Sequence, residues 1–446
     1  MKSRNFLLVS LLALIAITLP SCSSQQSADA GDLIATVPAD ASMVAVANIN
    51  AILEKTGCKV DGSAITPPEK LTQIISRSGD TRNSKLAATF FNGKSGVDPS
   101  VAVLFCVGYY TYATGVASDP AALKKSLETD LGYSFTTEDG IQTGGNVAIA
   151  ENRFWINIDQ NSIDPKEIRH FLSLDKTQSF TSNDAADRLC KFDKDIVGWG
   201  SIAGLLNTSG IAFEQRALAQ VALQTVYEDP ASLTFSVSFE KGKTLIEANV
   251  LNSKGSLAKY LFPMETIDTK TIESIGGTAD AVAAISIPAK MIERLQKDAS
   301  SKGPSVFGVY LNALSGLDGT TAVAFGQDAQ AMKGIVTTTG QNLAALTSFL
   351  GGTGIDVKIE GKTLRLSKGA LSGKSNVSDL SAYFKNAVAG VATAIPQGTA
   401  SGMAGFASAG SLTFHPQGNS VTLRATLVSD NPDENFLFTL VNTELK

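Results

Sequence analysis

A hairpin pattern that occurs twice is the feature that most constrains the fold of this chain. The tetrapeptide Ser-Leu-Thr-Phe stands at 232–235 and again at 411–414. In both copies apolar and polar residues alternate, which is the period of a half-buried β-strand. A glycine turn follows each copy, at Gly242 and at Gly418, and a second alternating segment returns from it. The sequence therefore predicts two antiparallel hairpins of the same design.

Further segments match in the same order in the two halves of the chain. The segment 119–127 (DPAALKKSL) corresponds to 342–350 (NLAALTSFL). The segment 44–53 (VAVANINAIL) is weakly similar to 282–291 (VAAISIPAKM). Because short identities also occur by chance, the shared order carries more weight than any single match. It predicts an internal duplication.

The duplication defines two related units, unit A at 34–268 and unit B at 276–446. In each unit the return strand is followed by four similar residues, Lys-Tyr-Leu-Phe at 259–262 and Asn-Phe-Leu-Phe at 435–438. We predict that both are helical. The alternative to duplication is one large α+β domain in which hairpins recur.

Helix starts are indicated by an acid or amide followed by proline. Such a pair satisfies one free backbone amide and presets φ for the first helical turn. It occurs at 119–120, 164–165 and 431–432. Helices and strands are therefore interspersed along the chain, while hairpins dominate the strand pairing. This combination predicts an α+β fold of largely antiparallel sheets with helices packed on one face.

The N-terminus has the form of a bacterial export signal. A positively charged start precedes an apolar stretch at 6–19 that is too short to span a bilayer as a mature helix. The Leu-Pro-Ser-Cys sequence ending at Cys22 resembles the lipobox of bacterial lipoproteins. This resemblance implies removal of residues 1–21 and acylation of Cys22. The alternative is ordinary cleavage near Ser21. Residues 22–33 are predicted to form a flexible tether.

Charge and hydropathy exclude several classes of partner. The net charge is −5 at pH 7 and no basic stripe is present, which argues against nucleic-acid binding and against electrostatic docking on anionic lipid. After the signal, no stretch approaches the roughly 18 apolar residues of a membrane-spanning helix. Contact with the membrane is therefore predicted to run through the N-terminal lipid alone.

Three cysteines remain when Cys22 carries lipid, namely Cys58, Cys106 and Cys190. Three thiols allow at most one disulfide, so the chain is not a disulfide scaffold. Cys106 lies in an apolar run and is predicted to be a buried small residue. The sequence does not decide whether any two of the three are paired.

No complete catalytic, metal-binding or nucleotide-binding motif is present. The two histidines, His170 and His415, fall on polar faces of their predicted elements, which leaves no Ser-His-Asp triad or zinc site. Two near matches to a phosphate loop, at 361–363 and 373–375, lack the first glycine. A calcium-loop start at Asp193 lacks the later ligands. We therefore predict no cofactor and no bound metal.

One predicted strand carries a candidate ligand face. Along it, Arg153, Trp155, Asn157 and Asp159 alternate with three apolar residues that suit the core. A tryptophan flanked by hydrogen-bonding groups can stack on a sugar ring or a peptide. The alternative is that a helix covers this face, so that Trp155 is part of the core.

A second cluster consists of Tyr109, Tyr110 and Tyr112, which follow Gly108 in a predicted hairpin. Tyrosines are common at interfaces, and they are also common within ordinary strands. The cluster is therefore a weaker candidate than the strand that contains Trp155.

Several segments resemble a group of uncharacterised envelope lipoproteins from Bacteroidetes, classed as a domain of unknown function. They are Val-Pro-Ala-Asp-Ala-Ser at 37–42, Asn-Ile-Asn at 48–50, Leu-Glu-Lys-Thr-Gly at 53–57, Asn-Ser-Lys-Gly at 252–255 and Lys-Tyr-Leu at 259–261. The resemblance implies an envelope lipoprotein without assigned activity or catalytic residues.

The leading hypothesis is a lipid-anchored envelope protein without catalytic activity, which presents a binding or structural surface to another protein or to a glycan. In Bacteroidetes, surface-exported lipoproteins tend to carry acidic residues just after the lipidated cysteine. The neutral residues at 23–26 thus favour the periplasmic side of the outer membrane over the cell surface. The alternatives are a carboxylate-based glycan hydrolase and a carrier with an apolar pocket between the two units.

Overall fold

The chain was analysed as a computed structural model that describes residues 30–61, 64–77, 95–191, 193–208, 212–301, 311, 312, 314–326, 331–352, 354–395 and 407–443. Its α-helices are α1 (Ala30–Ile34), α2 (Ile49–Lys55), α3 (Glu69–Arg77), α4 (Pro120–Leu131), α5 (Pro165–Leu172), α6 (Ala186–Cys190), α7 (Ile202–Thr208), α8 (Phe213–Val226), α9 (Thr269–Glu273), α10 (Ala289–Ser301), α11 (Leu343–Gly351), α12 (Val377–Ser381) and α13 (Phe436–Thr443).

The strands are β1 (Met43–Asn48), β2 (Lys59–Asp61), β3 (Ala64–Thr66), β4 (Val97–Val107), β5 (Tyr110–Ala117), β6 (Thr136–Glu138), β7 (Ile141–Gly144), β8 (Val147–Ala150), β9 (Arg153–Asn157), β10 (Ile196–Ser201), β11 (Pro230–Glu240), β12 (Lys243–Asn252), β13 (Thr278–Ala279), β14 (Ala281–Ile287), β15 (Leu317–Phe325), β16 (Met332–Thr338), β17 (Asp356–Glu360), β18 (Thr363–Lys368), β19 (Ser375–Asn376), β20 (Ala389–Ala394), β21 (Ala407–Gln417) and β22 (Ser420–Ser429).

The mixed α+β class and the antiparallel sheets are confirmed. The two hairpins predicted from the repeated tetrapeptide are β11–β12 and β21–β22, both antiparallel. Gly242 and Gly418 adopt φ values of +69° and +58° in their turns, a conformation that glycine reaches without a Cβ penalty.

The chain divides into two compact units. The first contains the described residues up to Ala222, together with Asp229–Ser256 and the described part of 431–446. The second contains Leu223–Glu228 and Leu257–Asp430. These boundaries differ from the predicted ones, because the last segment of unit B lies in the first unit. Helix α13 explains the difference, since it contacts α2, α3 and β11 and buries Phe436, Leu437, Leu440 and Val441.

The two units share an order of strands. In the first, the sheet runs β12–β11–β10–β1–β4–β5–β9–β8, continued by β7 and β6. In the second it runs β22–β21–β20–β14–β15–β16–β18–β17. The fourth strand is β1 in the first unit and β14 in the second. In each unit it lies beside the strand that precedes the hairpin, which is β10 in the first and β20 in the second. This common order supports the internal duplication, which stays a prediction.

Helices contact both faces of the sheet in the second unit, where one face was predicted. Consecutive residues of β16 show this, because Ile335 belongs to an apolar cluster with Ile272 of α9 and Leu380 of α12. Val336 belongs to a different cluster, with Ile292 of α10 and Leu346 of α11. Neighbouring strand residues point to opposite faces, so the two clusters lie on opposite sides of the sheet.

The register of the second unit aligns apolar residues into three parallel rows that cross β15, β14, β20, β21 and β22. The central row is Val323, Ala283, Val391, Leu412 and Ala425. The row on one side is Thr321, Ile285, Ala389, Phe414 and Leu423. The row on the other is Phe325, Ala281, Thr393, Gly410 and Leu427. We call these fifteen residues the apolar grid.

Two of the three predicted helix starts are confirmed. The Asp119 carboxylate accepts a hydrogen bond from the Ala122 amide at 3.0 Å, and Asp164 accepts one from the Lys166 amide at 2.9 Å. The prediction at 431–432 is wrong, because α13 begins later and its cap is Asn435, which accepts from the Leu437 amide at 3.0 Å.

The helix predicted at 259–262 is also wrong. Tyr260 instead forms an isolated antiparallel bridge with Tyr227, and the Leu261 amide donates to the Val226 carbonyl at 2.9 Å. The side chains of Tyr227 and Tyr260 also meet edge to face, with ring centroids 5.8 Å apart. Tertiary pairing therefore decides the conformation of this segment.

The folded body begins within the predicted tether. Residues 30–33 belong to helix α1, in which Leu33 and Ile34 are fully buried. They join the same apolar cluster as Phe105 and Phe180. Residues 1–29, which include the predicted signal and Cys22, lie outside the described residues.

Candidate functional site

The predicted ligand face lies mainly inside the core of the first unit. Trp155 is fully buried, and Asn157 is buried as well. Trp155 shares an apolar cluster with Ile168 and Phe171 of helix α5. Trp155 and Asn157 therefore do not form an exposed ligand face. Their burial agrees with the alternative, in which a helix covers this face of the strand.

Polar groups accompany Trp155 in this core. The Asn157 carbonyl accepts a hydrogen bond from Asn146 Nδ2 at 2.8 Å. The Tyr112 hydroxyl donates to Glu167 Oε2 at 3.1 Å, and burial, followed by the Glu167 carboxylate, raises the pKa of Tyr112. Within the described part of the chain, Trp155 Nε1 and Asn157 Oδ1 have no hydrogen-bond partner. Trp155 and Asn157 are therefore part of the core.

The two outer members of the predicted face are separated from this core. Arg153 Nη1 lies 3.3 Å from Glu151 Oε2 in a surface ion pair. Asp159 is exposed, and its carboxylate accepts a hydrogen bond from the Thr111 amide at 2.8 Å. Asp159 therefore belongs structurally to the tyrosine cluster of the β4–β5 hairpin.

The tip of the β4–β5 hairpin is the most exposed aromatic feature among the described residues. Val107 pairs with Tyr110, so Gly108 and Tyr109 form a two-residue turn. Gly108 has φ of +58° and Tyr109 does not have a positive φ, the combination of a type II′ turn. The Tyr109 side chain is 95% exposed and that of Tyr110 is 42% exposed. We call Tyr109, Tyr110 and Asp159 the tyrosine tip.

The tyrosine tip stands on a rigid base. Tyr110 meets Tyr112 edge to face, with ring centroids 6.5 Å apart. Tyr112 stacks on Phe105 at 5.4 Å and meets Phe171 edge to face at 5.4 Å. Because these rings belong to the core, the exposed tyrosines are presented on a fixed strand pair.

The thiols of Cys58 and Cys106 are not activated nucleophiles. Among the described residues, no disulfide joins any two of Cys58, Cys106 and Cys190. Burial raises the pKa of the Cys58 thiol to about 11. Burial also raises the pKa of Cys106, against the opposing effect of its hydrogen bond with Thr111. Thiols with raised pKa values stay protonated near neutral pH and are poor nucleophiles.

A buried ion pair occupies the segment that begins like a calcium loop. Asp195 is 3% exposed and Lys55 is 33% exposed, and Lys55 Nζ lies 2.6 Å from Asp195 Oδ1. Asp195 Oδ2 accepts a further hydrogen bond from the Phe239 amide at 2.6 Å. Asp195 thereby joins α2, β10 and β11, which is a structural role.

Histidine and acidic residues are dispersed over the described ranges, and within these no group of three or more His, Cys, Asp or Glu side chains is placed to hold a metal. His170 is exposed, and His415 Nε2 lies 2.9 Å from the Thr413 hydroxyl. In the same ranges, every helix is too short or too polar to cross a bilayer.

Comparison with known proteins identifies no family. No protein-family model and no curated protein matches the chain. Two solved structures of the protein TP0453 are similar to it. Crystal form III matches 78% of this chain and 96% of that one at 9% identity, with a TM-score of 0.30. Crystal form I matches 81% and 98% at 9% identity, with a TM-score of 0.28. TM-scores this low carry no argument about fold or function.

Proposed function

We propose that this protein is a non-catalytic, lipid-anchored protein of the cell envelope that binds a protein partner through its tyrosine tip. The anchor is Cys22, and the neutral residues after it favour the outer membrane with the body in the periplasm. The observation that carries the proposal is the 95% exposure of Tyr109 on a rigid hairpin.

A protein partner suits the tip better than a glycan. Tyrosine presents a large amphipathic ring at low entropic cost, and exposed anchor residues of this kind fill pockets on a partner. Tyr109 projects from a two-residue turn, so it forms a knob instead of a cleft. A knob requires a concave partner, which a protein offers and an extended sugar chain does not.

The hydrolase alternative loses its main support. It needs two carboxylates about 5–9 Å apart in a cleft, together with an aromatic platform for the sugar. The sequence offered Trp155 as that platform, and Trp155 is buried. The carrier alternative needs an apolar pocket between the two units and stays a prediction.

Replacing both Tyr109 and Tyr110 by serine is expected to reduce recovery of the specific partner from envelope extracts by roughly tenfold or more, since buried interface tyrosines each contribute about 2 kcal/mol. The measurement is quantitative pull-down with the wild-type and double-variant proteins. Because both residues are exposed, the melting temperature should not change. Leu218→Ser, at another exposed apolar position, is the matched control. An unchanged set of partners in the double variant would refute the binding role of the tip.

Replacing Cys22 by serine is expected to move the protein from the membrane fraction to the soluble fraction, because the acyl chains are the proposed membrane contact. Fractionation and immunodetection measure the change, and mass spectrometry of the wild-type N-terminus tests for acyl mass. A variant that still sediments with membranes would show that the anchor is assigned wrongly.

A further inference from the structure

The apolar grid of the second unit is a sheet face without charge. Thr321 pairs with Val336, whose apolar cluster contains Ile292 of α10 and Leu346 of α11, so these two helices lie on the same side of the sheet beside the grid. Its fifteen residues include no charged side chain, and the only polar ones are Thr321 and Thr393. Gly410 is the only member that is buried. Val391 is 46% exposed, and Leu412, its neighbour across the strands, is 44% exposed. This is a contiguous apolar surface of the kind that marks a binding site.

The opposite face of β14, β15 and β20 is already a core. On these three strands the residues next to the grid members, such as Val282, Ala322 and Ala392, are almost fully buried. On β21 and β22 the opposite face is polar and carries Ser411, Thr413, Arg424 and Thr426. Antiparallel sheets that bury one face normally present polar side chains on the other. On β14, β15 and β20 both faces are apolar, so the grid face of these strands is built to be covered.

The first unit repeats this chemistry. Its equivalent rows cross β4, β1, β10, β11 and β12, and the row through Leu104, Ala45, Gly198, Phe235 and Ala248 is also uncharged. There helix α7 contacts β10 and β11 and covers part of the face. The corresponding sheet face is therefore uncharged in both units. In the second unit this face is the apolar grid, which is exposed at Val391 and Leu412.

We infer that the apolar grid binds the acyl chain of a phospholipid. A specific protein interface carries about one hydrogen bond per 100–200 Å². The grid contains two hydroxyls. That of Thr321 is buried, and that of Thr393 already donates to the Asp280 carbonyl at 3.1 Å. A second copy of this chain or another protein would therefore find almost no polar contact there. A hydrocarbon chain requires none.

The size of the grid agrees with this occupant. Five strands at a spacing of about 4.8 Å span about 19 Å, whereas one leaflet contributes about half of the ~30 Å hydrocarbon core. In the central row, Ala283 and Ala425 are small and leave space beside Val391 and Leu412. The choice of a phospholipid as the source of the acyl chain rests on the proposed membrane anchor at Cys22.

The test uses the Cys22→Ser protein, so that its own lipid plays no part. It is incubated with vesicles of phosphatidylethanolamine and phosphatidylglycerol that contain radiolabelled phosphatidylethanolamine, and is then separated from them by gel filtration. We expect label to elute with the protein. In a Val391→Glu/Leu412→Glu variant the bound label should fall at least about tenfold, because a charge cannot be buried against hydrocarbon.

Ile359→Glu is the matched control. Ile359 is 49% exposed on β17 of the same unit and lies outside the grid, so its label should equal that of the parent protein. Circular dichroism checks each fold, and Val391→Thr/Leu412→Thr replaces the glutamate variant if that one unfolds. Absence of label on the parent protein would overturn the inference, as would equal label on a folded grid variant. A lipid-free dimer that the grid variant dissociates would show that the occupant is a second copy. The membrane anchor is tested separately by fractionation.

Discussion

Replacing Asp195 by alanine is expected to lower the free energy of unfolding by about 3 kcal/mol, the lower end of the range for breaking a buried ion pair. The variant leaves the Phe239 amide and the Lys55 ammonium group without the carboxylate that pairs with both. Lys55 is 33% exposed, so water can hydrate its charge in part. This partial hydration places the expected loss of unfolding free energy at the lower end of that range.

Urea unfolding, followed by circular dichroism, measures this change. Asp193→Ala is the control, because Asp193 is exposed in the same turn and its replacement should stay within about 0.5 kcal/mol. Asp195→Asn should be intermediate if its amide oxygen still accepts from the Phe239 amide. A loss below about 1 kcal/mol for Asp195→Ala would be the value of an exposed pair, and would contradict the buried network.

Replacing Trp155 by alanine is expected to lower the free energy of unfolding by about 3–5 kcal/mol, because it removes a large buried side chain and leaves a cavity. Trp155 is fully buried in the cluster that also contains Phe105, Phe171 and Phe180. Trp155→Phe retains most of the buried apolar surface and should cost less.

The same experiment separates a core residue from a ligand platform. A surface tryptophan that serves only to stack on a ligand could be removed with a change of about 0.5 kcal/mol. Arg153→Ala on the same strand is the control, since its ion pair with Glu151 is at the surface. Equal and small losses for Trp155→Ala and Arg153→Ala would show that the tryptophan does not support the core.

The sequence predicted local structure well where the signal itself is local. Alternating residues located the hairpins β11–β12 and β21–β22, because strand period and glycine turns need no knowledge of distant segments. The caps at Asp119 and Asp164 were found for the same reason. The segment 259–262 was misassigned because its conformation depends on pairing with Tyr227.

The alternation of apolar and polar residues along a strand does not contain enough information to predict the candidate site. The period of β9 shows that Trp155 and Asn157 share a face, but it does not show that helix α5 lies over that face. The register that pairs Tyr112 with Asn157 brings Asp159 to the tyrosine tip. No local pattern could reveal this neighbour, just as none could join Lys55 to Asp195.

The apolar grid was missed for a different reason. Its strands mostly alternate apolar residues with small or polar ones, so each looked like an ordinary half-buried strand. Leu412 belongs to the repeated Ser-Leu-Thr-Phe segment and Val391 to no motif, and only the register places them side by side. A search for strands that are apolar on both faces would have found β14, β15 and β20.

The first unit is built from segments that are distant in the sequence, because it includes helix α13. The Glu434 carbonyl accepts from the Gly242 amide at 2.8 Å, and Asn435 Nδ2 donates to the Phe239 carbonyl at 2.9 Å. Asn435 and Phe239 are 196 positions apart in the sequence, so the module is finished by a distant segment, and such distant closure slows folding. This module therefore stays open until the segment around Asn435 has been synthesised.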